Sequence, residues 1–428
     1  MAFTPPSKKI SSLPPEAWKP LVRLMRLATR PIDRFLGIEA ASGILLLLSA
    51  AVALAWANSP WAGGYSALWQ TPVGLRLAGL TFERSLDWVV NDGLMVIFFF
   101  VVGMEIRHEL HDGELSDWRR AALPATAALG GMLAPAALYL LVARAPATRS
   151  GWGVPMATDI AFAVGILTLL GKRVPPSLRV LLLALAVIDD LGAIIVIAFF
   201  YSSGIALTGL LVAGLGLGGI LAMQAFGVRA KVAYVVPGVV LWAGVYSAGI
   251  HPTIAGVIIG LVTPVRTWLG REAVSPADSL IKKLHPWVAF GIMPIFALAN
   301  AGVVLASDSA AAPSSSLSWN VMAAVAVGLV LGKPAGILLA SWMALRMRLA
   351  VLPADLQMRH LVVLGVVAGV GFTMALFIAQ LAFSDEAFLK AAKLGVLGAS
   401  GLAAVLGLVC GRLVLHPRED HLPKVEKG

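Results

Sequence analysis

Four charged side chains stand where water is scarce. Asp159, Asp189, Asp190 and Lys333 each lie well inside a long apolar run. A charge at the centre of a membrane helix costs roughly 2.5–3.5 kcal/mol on insertion scales, so four approach ~10–14 kcal/mol. An Asp–Lys pair could simply staple two helices together, but fold stability does not require that expense four times. Ion or proton handling is the chemistry that fits these residue types at this depth.

Their neighbours sharpen the reading. In Val187-Ile188-Asp189-Asp190-Leu191-Gly192, two carboxylates adjoin on one helix. Adjacent residues diverge by about 100° around a helix axis, so the two cannot grip one atom in the same way. One can face a water-filled cavity while the other meets a partner. Lys333, in Gly332-Lys333-Pro334-Ala335-Gly336, is the natural partner for one of them. Asp159 follows Pro155-Met156-Ala157-Thr158, where a proline and a polar pair predict a helix broken near the midplane. A second weak point contains Gly365, Gly369, Gly371 and Thr373. Broken halves expose N–H groups at one end and C=O groups at the other, each carrying about half a charge. Two interrupted helices at corresponding places point to a transporter site.

The elements that hold these residues must be membrane helices. Of 428 residues, 59% are hydrophobic and 13% charged, well away from the balance of a soluble domain. The single cysteine, Cys410, excludes an intrachain disulfide and a thiolate metal cluster. Spans of about 17–25 apolar residues are expected at 40–57, 88–106, 121–142, 152–170, 178–201, 205–224, 232–248, 252–264, 286–306, 319–344, 358–382 and 390–411. The fold class is an all-α polytopic membrane protein with twelve transmembrane helices. Residues 1–37 and 416–428 are expected to be cytoplasmic tails around one domain at 38–415. With the N-terminus inside, 26 Lys and Arg residues fall on the cytoplasmic side and 6 outside, so both termini are placed in the cytoplasm. That distribution accounts for the net charge of +10 by topology and calls for no nucleic acid partner. The external loop 58–87 contains a segment around 71–82, with Thr71, Gly74, Arg76, Gly79 and Phe82, where Gly74 and Gly79 flank two brief strands joined by a tight turn. A lone hairpin is marginal in water, so it is expected to pair with something.

Other classes fit less well. An aspartyl protease within the membrane would pair two aspartates from separate helices, and Asp159 with Asp190 is the available combination. No Gly-Xaa-Gly-Asp segment accompanies them, and Lys333 would have no role. A serine protease lacks a histidine at membrane depth, since His251 and His285 sit at span ends. No two histidines have zinc-site spacing within a span. Neither charge rings nor a carbonyl filter marks a channel. Proton-coupled transport, by antiport or symport, is the better reading, and no cofactor is expected.

These motifs resemble those of NhaA-type sodium/proton antiporters. Ala-Thr-Asp-Ile-Ala-Phe-Ala at 157–163, Val-Ile-Asp-Asp-Leu-Gly-Ala-Ile at 187–194 and Gly-Lys-Pro-Ala-Gly-Ile at 332–337 carry the likeness. So do Val-Asn-Asp-Gly-Leu-Met at 90–95, Val-Gly-Met-Glu at 102–105, Leu-His-Pro-Trp-Val-Ala at 284–289 and Ala-Asn-Ala-Gly-Val at 299–303. The family is itself a standing example of inverted repeats with broken helices, so that agreement is no separate finding. The resemblance implies a core of spans 3–5 and 10–12, with spans 4 and 11 broken and crossing, beside an interface bundle of spans 1, 2 and 6–9. It implies electrogenic sodium or lithium export against protons by alternating access in a bacterial inner membrane. Asp190 would be the principal sodium ligand and proton carrier, assisted by Thr158, with Asp189 contacting Lys333. Asp159 would compensate the positive helix ends at the crossing and Lys333 the negative ones. The hairpin would join a homodimer.

The resemblance also implies pH-dependent activity. Glu105, His108 and Glu109 near the cytoplasmic end of the second span, and His251 in Gly249-Ile250-His251-Pro252-Thr253, are the candidate sensors. Glu105 could equally be an ordinary interfacial charge, and His251 a helix-end residue held by backbone. The family's glutamate before Leu-His-Pro-Trp is Ile281 here, followed by Lys282 and Lys283, and an arginine position holds His108. The expected sensor pair is therefore His108 with Glu105, with the two lysines opposing protonation.

Overall fold

In lipid every backbone polar group must be satisfied within the protein, which favours helices throughout. The computed structural model describes residues 41–77, 80–202, 204, 206–228, 230–265, 275–305 and 316–416. The expected N-terminal tail, all of the expected C-terminal tail but His416, and Gly79 of the hairpin lie outside the described residues.

Helix α1 (Ala41–Ala57) turns by 113° into α2 (Ala62–Gln70), a helix absent from the loop expected there. Strands β1 (Pro72–Leu77) and β2 (Leu80–Ser85) follow as an antiparallel pair. Gly74 pairs with Glu83 inside β1 and does not flank a strand; Arg76 pairs with Thr81 and Leu75 with Phe82. Thr71 closes the base, its carbonyl accepting from Leu86 N–H at 2.9 Å. Then come α3 (Leu86–Asp112), α4 (Trp118–Val142), the 3₁₀ helix α5 (Pro146–Met156), α6 (Ile160–Leu169), α7 (Pro176–Phe200), α8 (Leu207–Ala225), α9 (Val235–Ser247) and α10 (Thr253–Val262). Helix α11 runs from Pro276–Trp287 through a π turn, Val288–Ile292, into Met293–Asn300. The chain ends with α12 (Ser316–Arg346), α13 (Met358–Ala368), α14 (Phe372–Ala382) and α15 (Glu386–Val414).

Six described helices are each long and apolar enough to cross a bilayer, and counting each bent pair as one span gives nine. The expected spans at 232–248 and 252–264 are shorter apolar helices, and that at 286–306 is the interrupted α11. Two of the π turns have a local cause. Pro294 and Pro334 lack the N–H that would bond four residues back, and π turns occupy Val288–Ile292 and Gly328–Gly332 just before them. The second delivers Lys333 to the interior.

Small residues set the packing. Helix α3 lies along α10 where Gly103 meets the Val257 carbonyl and Gly260, and α4 lies along α12 where Gly130 meets Gly336. Any larger side chain would separate these backbones. Helix α8 packs on α9, and the first half of α12 packs on α15.

Candidate functional site

The two expected breaks meet. Helices α5 and α6 bend by 47° around Ala157–Asp159, and α13 and α14 by 50° around Gly369–Gly371. Asp159 N–H donates to Val370 O at 2.8 Å, joining the two breaks backbone to backbone. Gly371 permits this approach, because a Cβ there would press on Leu329 and the Ala157 carbonyl. Gly365, expected in the break, lies inside α13 against Pro334.

Four helix ends therefore converge, two positive and two negative. The Asp159 carboxylate serves both positive ends. Its Oδ1 accepts from Phe162 N–H of α6 at 3.0 Å, and its Oδ2 accepts from Thr373 N–H at 3.1 Å and from the Thr373 hydroxyl of α14. Ser400 of α15 adds a cap, accepting from Phe372 N–H at 3.0 Å. At the negative ends, Lys333 Nζ donates to Met156 O, and Thr158 Oγ1 lies 3.1 Å from Ala368 O.

The paired carboxylates diverge as helical geometry requires. Asp189 Oδ2 lies 2.6 Å from Lys333 Nζ and 2.7 Å from Thr158 Oγ1. Thr158 thus meets Asp189 and not Asp190; its one proton serves either Asp189 or the Ala368 carbonyl. Asp190 is 1% exposed, and its Oδ1 is buried with no hydrogen-bond partner. Glu105, Asp189, Asp159 and Lys333 are within its electrostatic reach. Lys333 neutralises Asp189 and two helix ends oppose Asp159, whereas among the described residues no cation contacts Asp190. The protease pairing of Asp159 with Asp190 is not formed, because helix ends occupy both Asp159 oxygens.

A family model described as Na+/H+ antiporter 1 matches residues 33–410. The chain belongs to the Na+/H+ antiporter 1 family. It is 66% identical to Na(+)/H(+) antiporter NhaA 2 of Myxococcus xanthus, over 96% of this chain and 95% of that protein. It is 55% identical to Na(+)/H(+) antiporter NhaA of an Acidovorax species, over 91% and 94%, and 51% identical to Na(+)/H(+) antiporter NhaA 2 of Sorangium cellulosum, over 96% and 95%. As a member of this antiporter family, the chain is a multi-pass membrane protein that exchanges sodium for protons. Its relatives are named as antiporters, that is, as transporters.

The antiporter's peripheral candidates are arranged differently from the sequence reading. His108 Nδ1 lies 3.2 Å from Asp278 Oδ1 of α11, within ion-pair range but without hydrogen-bond alignment. Asp278 is the residue sequence reasoning missed; it sits one helical turn before the Lys282 and Lys283 that drew attention, and both lysines are exposed. Glu109 accepts from Glu114 N–H at 3.0 Å and so shapes the turn after α3. Glu105 is half-buried on the same helix. His251 is held by side chains and not by backbone: Nε2 lies 3.2 Å from Asp92 Oδ1, and Nδ1 lies 2.8 Å from Thr253 Oγ1. Asp92 belongs to a π turn, Val89–Leu94, within α3. Asn300, read only as part of the 299–303 motif and given no role, and Gln380, which escaped notice, are buried or half-buried amides; their polarity inside apolar spans was the available signal.

Proposed function

We propose that Asp190 is the residue at which sodium and protons compete, with Asp189 and Thr158 completing the oxygen set for the transported ion. The supporting observation is that Asp189, whose Oδ1 is as unpartnered as that of Asp190, is already neutralised by Lys333 through its Oδ2, whereas no described cation lies against Asp190. An isolated carboxylate out of water must take up a proton or a cation. Sodium and lithium accept oxygen ligands and can fill that role alternately with a proton. Asp159 and Lys333 keep the crossing neutral while the ion changes.

Transport is electrogenic, one sodium for more than one proton, with Asp189 or Lys333 as the second proton carrier. Spans 3–5 and 10–12 form the ion-carrying core within the domain 38–415, and spans 1, 2 and 6–9 form the bundle against which it moves. The bias of 26 inner to 6 outer basic residues supports cytoplasmic termini and cytoplasmic tails at 1–37 and 416–428, in a bacterial inner membrane. The two-stranded hairpin with its exposed Val73 supports dimerisation between copies of the chain. Activity depends on pH through competition at Asp190, with His108, Glu105, Glu109 and His251 as modulating groups.

Everted vesicles acidified by respiration and loaded with a pH dye test the site. Adding sodium or lithium should dissipate the proton gradient with the parent protein and fail to do so with Asp190→Asn. Normal exchange by that variant would overturn the assignment.

A further inference from the structure

Beyond the crossing, α14 turns one stripe toward α3, α10 and α11. Thr373, Phe377 and Gln380 share this face, at the four- and three-residue spacing of neighbours on a helix. Thr373 belongs to the crossing; the ion site uses neither of the other two. Phe377 is 1% exposed. Its ring centroid lies 5.4 Å from that of Phe99 on α3, 5.4 Å from that of His251 and 6.2 Å from that of Phe296 on α11. Asp92 and Thr253 hold the His251 ring in that position. One turn further out, Gln380 Nε2 donates to Asn300 Oδ1. Asn300 Nδ2 donates in turn to Asn91 Oδ1 at 2.8 Å, and Asn91 Nδ2 to Asp87 Oδ1 at 2.9 Å.

We propose that Phe377 and Gln380 form the outer gate of the antiporter, Phe377 as the plug and Gln380 as the latch. This rests on the reading above, in which Asp190 carries the ion, α14 moves with the core and the termini are cytoplasmic. Alternating access requires the site to be closed to one side whenever it is open to the other. A ring packed edge-on against His251 and Phe296 and tilted against Phe99 fills the space through which an ion with its water would pass. Asn300 is itself fixed, bonded to Asn91 and to Phe296 O at 3.0 Å, so it offers Gln380 a rigid catch on the stationary bundle. Interhelical hydrogen bonds between polar side chains in membranes are modest, which suits a contact that must open in every cycle.

The latch favours the state closed to the outside. Removing it raises the fraction of molecules open outward, and apparent affinity at a face scales with the fraction competent to bind there. In oriented proteoliposomes, Gln380→Leu should lower the sodium KM at the outer face by roughly two- to tenfold, the worth of one hydrogen bond, and raise it at the inner face. A residue that only packed would shift both faces alike. As a second measurement, Gln380→Cys in a Cys410→Ser background should react with an impermeant maleimide added outside, faster under a sodium gradient that drives turnover than at rest. KM values that keep the parent's ratio between faces, or labelling indifferent to the gradient, would overturn the gate. Neither result bears on Asp190, whose assignment stands or falls with Asp190→Asn in everted vesicles.

Discussion

Lys333 Nζ lies 2.6 Å from Asp189 Oδ2, both fully buried, while the adjacent Asp190 receives no such contact. This asymmetry gives two chemically identical neighbours different surroundings, one carboxylate paired with an ammonium and the other not. Breaking one side of a buried pair leaves an uncompensated charge and typically costs about 3–5 kcal/mol. Lys333→Ala and Asp189→Ala should each lower unfolding stability in detergent by about that amount. The double variant should lose less than the sum, by at least ~1 kcal/mol, since touching residues couple. Strict additivity would mean that the contact carries no energy.

Asp159 accepts from Thr373, 214 residues away in sequence, and so joins two helix starts. A lost cap costs about 1 kcal/mol and a stranded buried N–H about 1–3 kcal/mol. Asp159→Ala should therefore cost about 2–4 kcal/mol, and Thr373→Val, which removes the hydroxyl contact and leaves the backbone one, about 1 kcal/mol. Thermal unfolding of the two purified variants checks this. Equal losses would show that the carboxylate does not bridge both helices.

Unequal charge exchange has a direct electrical signature. A potassium diffusion potential imposed with valinomycin across proteoliposomes should speed or slow sodium uptake according to its sign. Each net charge moved responds with about 2.3 kcal/mol per 100 mV. Uptake indifferent to voltage would establish one-for-one exchange.

His108 Nδ1 and Asp278 Oδ1, 3.2 Å apart, form an ion pair only when the imidazole is charged, so this contact can tie α3 to α11 only in that state. His108→Arg makes the tie permanent. It should slow exchange by up to roughly fivefold, the upper worth of an exposed pair, and more at the alkaline than at the acid end of the profile. Asp278→Asn should remove the tie instead and raise activity at the acid end of the profile. Parent-like pH profiles in both variants would leave competition at Asp190 as the whole origin of the pH dependence.

Much of this protein is determined by local sequence. Apolar run lengths and the placement of lysines and arginines define a membrane protein and an expected orientation, because both report directly on transfer from water to lipid. The cost of burying charge singles out Asp159, Asp189, Asp190 and Lys333, and Pro155 with its polar neighbours marks the first broken helix. Partners are another matter. Asp189 and Asp190 differ only by about 100° of azimuth, so which one meets Lys333 depends on how α7 is rotated against α12. That rotation follows from close backbone approaches, such as Gly130 against Gly336, that no local pattern encodes. For the same reason His108 finds Asp278 and not Glu105, Asp159 finds Thr373, and Gln380 finds Asn300. Hydrophobicity is a property of a segment and can be read along the chain. Charge neutralisation at a crossing is a property of four helix ends brought together, and only the tertiary structure decides it.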